Sequence, residues 1–156
     1  MSTAAQAHEV LVTTTTRVRA PARAQGRSSS RQRVTGLILT GIAILFLLFD
    51  SIVKFSGIPA VTESMTQLGY PIDSAVVIGT IELVCIAIYL IPRTSVLGAV
   101  LLTGYFGGAI ATHVRVGNPL FSHILFPTYI AALIWIGLYL RDARLRALVA
   151  PTTPRD

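Results

Sequence analysis

Residues 34–53 read VTGLILTGIAILFLLFDSIV, a run of twenty residues whose only charged member is Asp50. A helix needs about 20 apolar residues to cross the ~30 Å hydrocarbon core of a bilayer. Three further apolar runs follow, over residues 74–91, 94–113 and 120–140. None of the four runs carries a polar stripe of helical period, so the sequence favours transmembrane helices over the helices of a soluble bundle.

The composition of the whole chain agrees with a membrane protein. Hydrophobic residues make up 53% of the 156 residues and charged residues only 13%, whereas a soluble domain carries about a quarter charged residues. A water-soluble enzyme with so little charge could not cover its surface, which argues against that class. We therefore predict an all-α fold, a bundle of four transmembrane helices that occupies residues 34–146.

The basic residues are concentrated at the two ends of the chain. Residues 1–33 contain six Arg and one Glu and are predicted to form a disordered tail, although an organellar transit peptide has a similar composition. Residues 147–156 are predicted to form a second, short tail. With four spans, both termini lie on one side of the membrane, and that side holds eleven Lys and Arg against two on the other. The positive-inside rule therefore predicts cytoplasmic termini in a multi-pass protein of the cell inner (plasma) membrane.

Turn-forming residues separate the apolar runs. Residues 54–73 contain two Gly and two Pro and are predicted to be the one sizeable loop. Residues 92–93 and 114–119 are predicted to be tight turns.

Ionisable residues within the apolar runs are costly in a bilayer and are candidates for a functional site. On the predicted topology, those of the membrane domain fall in its outer half. They are Asp50, Lys54, Glu82, His113, Arg115 and His123. Asp50 and Lys54 are four residues apart and could simply neutralise each other at a helix end. Glu82 has no partner nearby in sequence, so it is expected either to be neutral or to pair with Lys54 or Arg115 from another helix.

The third apolar run is rich in small residues. Gly104 and Gly108 form a GxxxG motif, and Gly98 and Gly107 lie in the same run. We predict that they let this helix approach a neighbour closely, either within the bundle or in another subunit. Tyr105 lies in the middle of the same run and therefore needs a hydrogen-bond partner.

The sequence lacks the common signatures of a bound redox cofactor. Cys85 is the only cysteine, which excludes an intramolecular disulfide, a CxxC pair and a cysteine metal cluster. No haem-ligand pattern, flavin fingerprint or Fe–S cysteine set is present, so electrons for a redox reaction would come from a partner. His113 and His123 match no metal-binding motif and are also typical of interfacial residues, so no metal site is predicted.

Several separated segments resemble the DoxX-like family of small four-helix membrane proteins. They are residues 49–54 (FDSIVK), 68–71 (LGYP), 81–94 (IELVCIAIYLIPRT) and 101–115 (LLTGYFGGAIATHVR). The resemblance covers roughly residues 40–146, with Ser51 at a position where such proteins often have Gly. It implies a link to bacterial respiratory and redox membrane complexes, including thiosulfate:quinone oxidoreductase. The residues that match its polar positions are Asp50, Lys54, Glu82, His113 and Arg115.

Three functions are compatible with these features. The favoured one is a membrane subunit of a redox or quinone-linked assembly, in which His113 or Lys54 would hydrogen-bond a quinone or similar lipid-soluble ligand and Glu82 would handle protons. The second is a small transporter or proton relay. It is less favoured because no ionisable residue continues a path through the inner half of the membrane. The third is a non-catalytic membrane assembly factor. The expected partners are the lipid bilayer, a membrane or redox protein and further copies of the chain, and no nucleic acid is expected.

Overall fold

The structure is a computed structural model that describes residues 30–149, and within that range it is helical and contains no strand. The helices are α1 (Ser30–Phe55), α2 (Pro59–Gln67), α3 (Ser74–Leu90), α4 (Ser95–Arg115), α5 (Phe126–Arg141) and α6 (Ala143–Val149). A single π-helical turn, Leu120–Ile124, precedes α5. The all-α prediction is confirmed. The predictions for most of the N-terminal tail and for the end of the C-terminal tail fall outside the described residues.

Three helical stretches are long and apolar enough to cross a membrane. They are Ser30–Phe55, Ser95–Arg115 and Leu120–Arg141. The fourth apolar helix, α3, has 17 residues and would extend about 26 Å. Large apolar side chains cover the outside of the molecule, and Leu45, Phe49 and Ile52 are each more than 60% exposed. Such a surface suits lipid and not water, so the chain is a multi-pass membrane protein.

The four apolar helices pack in a ring around one core. Helix α1 contacts α3 and α5, and α4 contacts the same two helices. The fully buried centre of this core is formed by Ala43, Tyr89, Ala99, Leu102, Ile134 and Leu138. Because every apolar helix has two neighbours, side chains from all four face the same interior.

The segment between α1 and α3 differs from the sequence prediction. Residues 54–73 are predicted to be a loop, but Pro59–Gln67 form helix α2, which starts with Pro59 in its first turn. Val61 and Met65 are buried and pack in a small cluster with Ala75 of α3. A helix this short gives a weak periodic signal, and its stability comes from this contact with α3.

Two helix boundaries also differ from the prediction. Helix α1 begins at Ser30, so residues 30–33 belong to it and not to a tail. The fourth apolar run is divided, since α5 begins only at Phe126. Pro127 lies in the first turn of α5, where its missing N–H is tolerated. In one continuous helix over residues 120–140, Pro127 would be an interior residue and would break the helix.

The glycines that permit close helix contact are not those of the GxxxG motif. A Cβ atom on Gly104, Gly107 or Gly108 would meet nothing within 4 Å. The close approaches are between α4 and α3, where a Cβ on Gly98 would lie 2.3 Å from the backbone nitrogen of Tyr89, and between α1 and α5, where a Cβ on Gly36 would lie 2.8 Å from the carbonyl oxygen of Gly137. The within-bundle packing predicted for the GxxxG glycines is therefore corrected, and a subunit contact through them stays a prediction.

Candidate functional site

Lys54 joins two carboxylates that belong to different helices. From the end of α1, its ammonium group forms an ion pair with Asp50 one turn earlier and with Glu82 of α3, at 3.0 Å from Oε2. Glu82 is completely buried. A carboxylate buried without a counter-ion is strongly destabilising, and Lys54 provides the compensating charge. Both sequence hypotheses are realised together, the local Asp50–Lys54 pair and a partner for Glu82 from another helix.

Tyr105 completes this cluster from α4. Its hydroxyl donates a hydrogen bond to Glu82 Oε2 at 3.0 Å, which supplies the partner that its position in mid-helix requires. Glu82 Oε1 and the Ser51 hydroxyl are also buried, and neither has a hydrogen-bond partner of good geometry. We call Asp50, Lys54, Glu82 and Tyr105 the Lys54 cluster. The cluster thus contains two carboxyl groups and one phenol but only one ammonium group.

His113 and His123 lie close to each other beside the end of α4. Their ring centroids are 5.6 Å apart in an edge-to-face arrangement. Asn118 lies 2.8 Å from Nδ1 of His113, and Ser122 lies 2.8 Å from Nδ1 of His123. Each Nδ1 is thus held by a neighbouring polar side chain, which fixes the orientation of both rings. Among the described residues, no group of three or more His, Cys, Asp and Glu is placed to hold a metal ion.

Arg115 does not join the Lys54 cluster. Its guanidinium group donates to the carbonyl oxygen of Leu68 and lies over the ring of Tyr70, 5.9 Å from the centroid. The hydroxyl of Tyr70 in turn lies 3.0 Å from Thr112 Oγ1. Gly69 has a φ of +71° between Leu68 and Tyr70, a conformation that glycine adopts without strain. Arg115 therefore ties the segment after α2 to the end of α4.

A cavity of about 500 Å³ lies among the helices beside the Lys54 cluster. Four of the five predicted site residues line it, and Arg115 does not. These four are Asp50, Lys54, Glu82 and His113. Most of the remaining wall is apolar, with Phe46, Phe126 and Ile130 among its residues. The cavity thus combines an apolar interior with one charged and hydrogen-bonded wall.

The structure adds wall residues that sequence reasoning did not assign to the site. Ser64 and Met65 of α2 line the cavity, and they were missed because that segment is predicted to be a loop. Gly104 and Gly108 also line it. Since no atom lies within 4 Å of a Cβ built on either glycine, the bare backbone of α4 leaves this side of the cavity open.

Apolar helices in a ring, with a charged cluster and a cavity among them, define the class of this molecule as a small helical membrane protein. The family model described as the DoxX-like family matches residues 38–137. The chain therefore belongs to the DoxX-like family, as its sequence segments predict. No curated protein and no solved structure matches it.

Proposed function

We propose that this protein binds a lipid-soluble ligand of the quinone type in the cavity, as the membrane subunit of a redox assembly. The observation that carries the proposal is the position of the Lys54 cluster on the wall of an otherwise apolar cavity. A volume of about 500 Å³ is within the range of small-molecule sites, which usually combine apolar walls with a few polar groups. A quinone matches this arrangement because its ring and tail are apolar and its two carbonyl oxygens accept hydrogen bonds.

The donors for such a ligand are Lys54 and His113. An ammonium group has three N–H donors, and Lys54 directs two of them to Asp50 and Glu82. The third N–H can therefore be donated to a carbonyl oxygen in the cavity. His113 lines the same cavity and uses Nδ1 for its contact with Asn118, which leaves Nε2 for a ligand.

The reaction supported by this arrangement is the reduction or oxidation of the bound ring. Reduction of a quinone to a quinol consumes two electrons and two protons. In this proposal a partner redox protein supplies the electrons. Glu82 and Tyr105, which share a hydrogen bond at 3.0 Å, carry protons at the cavity wall.

The proposal includes four membrane spans, with both termini in the bacterial cytoplasm and the cavity in the outer half of the bilayer. The short helix α3 counts as the additional span because it is apolar and packs between α1 and α4. The charges of the described residues support this orientation. Six of the seven described arginines lie near one end of the bundle, whereas Lys54, Arg115 and the cavity lie towards the other. The membrane domain then extends over residues 34–146.

Titration of the detergent-purified protein with decylubiquinone, followed by equilibrium binding, tests this function. We expect saturable binding by the parent protein and at least a tenfold loss of affinity in Gly104→Leu, because the new side chain enters the cavity. Gly107→Leu is the matched control, since its Cβ also meets nothing within 4 Å but Gly107 is not among the lining residues. Absence of saturable binding, or equal loss in both variants with unchanged melting temperatures, would contradict the proposal.

A further inference from the structure

Arginine side chains gather at the end of the bundle opposite the Lys54 cluster. We call this the basic end, and it holds the start of α1, the α3–α4 turn, the end of α5 and α6. Its described basic residues are Arg31, Arg33, Arg93, Arg141, Arg144 and Arg146. Asp142 is the acidic residue described there, and its carboxylate accepts a hydrogen bond from the backbone N–H of Arg144 at 2.7 Å. This end of the described chain therefore carries a large excess of positive charge.

Arg141 is held inside the basic end by an aromatic ring. Its guanidinium carbon lies 5.0 Å from the ring centroid of Tyr89, which is completely buried. The hydroxyl of Tyr89 donates to the carbonyl oxygen of Ile134 at 3.2 Å, so the ring is fixed in place. Nε and Nη2 of Arg141 are buried and have no hydrogen-bond partner. The cation–π contact stabilises the charge but provides no oxygen acceptor for these N–H groups.

Arg146 places a second guanidinium group at the end of α5. Its Nη1 donates to the carbonyl oxygen of Leu140 at 2.7 Å, and Leu140 directly precedes Arg141 in α5. Nη2 of Arg146 is buried and has no hydrogen-bond partner. Both arginine residues are nevertheless partly exposed at the surface.

An apolar groove adjoins Arg146, whose Nη1 lies 3.4 Å from the carbonyl oxygen of Tyr139. Trp135, Ile136 and Tyr139 of α5 line it on one side, and Leu145 and Val149 of α6 on the other. Its volume is about 270 Å³. Leu148 and Val149 are 78% and 63% exposed, which is typical of side chains that enter the boundary between head groups and acyl chains.

We propose that Arg141 and Arg146 bind the phosphate group of an anionic phospholipid, with an acyl chain in the adjoining groove. Guanidinium groups match the oxygens of a phosphate in pairs, and basic pockets at the ends of transmembrane helices recognise phospholipid head groups. The apolar groove favours a lipid over free phosphate as the occupant. This site is separate from the cavity, so the inference holds whether or not that cavity binds a quinone.

The test compares phosphatidylglycerol with phosphatidylcholine, added to the full-length protein in mild detergent, by native mass spectrometry. We expect one phosphatidylglycerol molecule to be retained preferentially, and Arg146→Gln to weaken that binding at least tenfold. Arg144→Gln is the matched control, because it removes the same charge from an exposed neighbour, and it should change the affinity less than twofold. Equal weakening by Arg144→Gln, or equal retention of the two lipids, would overturn the proposal, since diffuse surface charge then accounts for the binding.

Two further variants and a competitor complete the test. Arg146→Lys keeps the charge but loses the paired donors, and we expect it to bind phosphatidylglycerol at least threefold more weakly than the parent. Arg141→Gln should weaken the binding as Arg146→Gln does. If it does not fold, because the guanidinium group over Tyr89 is lost, the two Arg146 variants still decide the outcome. Millimolar inorganic phosphate should leave the bound lipid in place. Its displacement by phosphate alone would overturn the assignment to a lipid.

Discussion

Lys54 is the residue on which the candidate site depends, because one ammonium group serves two carboxylates. Its spacing from Asp50 can be read from the sequence, since residues four apart are neighbours on a helix. The contact with Glu82 depends on how α1 and α3 pack, which no local pattern specifies. The sequence therefore identifies three of the four cluster residues as site candidates, and Tyr105 only as a side chain that needs a partner. That Lys54 serves both carboxylates, and that Arg115 contacts Leu68 instead, could come only from the structure.

We expect Lys54→Gln to be the most destabilising single change in the cluster. It leaves the carboxylates of Asp50 and Glu82 without a cation, and loss of one partner from a buried ion pair costs about 3–5 kcal/mol. Adding Glu82→Gln should recover much of this loss, because Asp50 is partly exposed, with 41% of its side chain accessible. Adding Asp50→Asn should recover little, since Glu82 stays buried and unpaired. Melting temperatures in detergent for the three variants decide this, and equal recovery by the two second changes would show that Glu82 does not depend on Lys54.

Glu82→Gln tests whether the same carboxylate acts in the function and not only in the fold. The amide keeps the shape of the side chain and can still accept the hydrogen bond of Tyr105, but it cannot ionise. We expect the variant to insert and to melt nearly as the parent does, because Lys54 keeps Asp50 as its partner, and to lose quinone-dependent activity with the partner protein. A variant that fails to accumulate in the membrane would make Glu82 a structural residue, and one with full activity would remove it from the mechanism.

At the scale of helices, apolar length is the strongest signal, and the short polar segments are the weakest. The runs that became α1, α3, α4 and α5 can be read from the sequence because each contains a long stretch without charge. Helix α2 could not be read from the sequence, because Pro59 and Gly69 at its two ends are also typical of a loop. Its burial, moreover, depends on packing against α3. The last run is predicted as one helix, but α5 begins only at Phe126, and Pro127 in its first turn favours a helix start there.

A pair of glycines in α4 tests how closely this helix packs against α3. A Cβ on Gly98 would lie 2.3 Å from the backbone nitrogen of Tyr89, whereas a Cβ on Gly107 would meet nothing within 4 Å. We expect Gly98→Ala to destabilise the protein by about 1–3 kcal/mol or more, the usual cost of overpacking, because backbone cannot move aside easily. Gly107→Ala should leave stability unchanged or slightly raised, as expected for alanine in a helix. Thermal melting of both variants in one detergent measures the difference, and similar losses would indicate that α3 and α4 lie farther apart.

At the scale of the whole molecule, the two ends of the helix ring have different chemistry. The Lys54 cluster, His113 and the cavity lie towards one end, and six of the described arginines lie at the other. Since a bilayer is also asymmetric, with positive loops retained in the cytoplasm, we propose that this polarity orients the protein and that its two proposed sites lie in opposite leaflets. The orientation rests on charge counts along the sequence, whereas the separation of the two sites follows from how the helices pack.

Alkaline phosphatase fusions test this orientation and the role of α3 together. With four spans, fusions after residues 65 and 117 should be active, because these positions face outward, and fusions after residues 93 and 146 should be inactive. The outcome at residue 93 depends on α3, whose 17 residues extend about 26 Å, somewhat less than the ~30 Å of an average hydrocarbon core. Local thinning of the bilayer and the contacts of α3 with α1 and α4 offset this small mismatch, so we expect α3 to cross. If α3 did not cross, residues 93 and 146 would lie outside and residue 117 inside. That reversal would separate Arg31 and Arg33 from the other arginines of the basic end and overturn the assignment of the cavity to the outer leaflet.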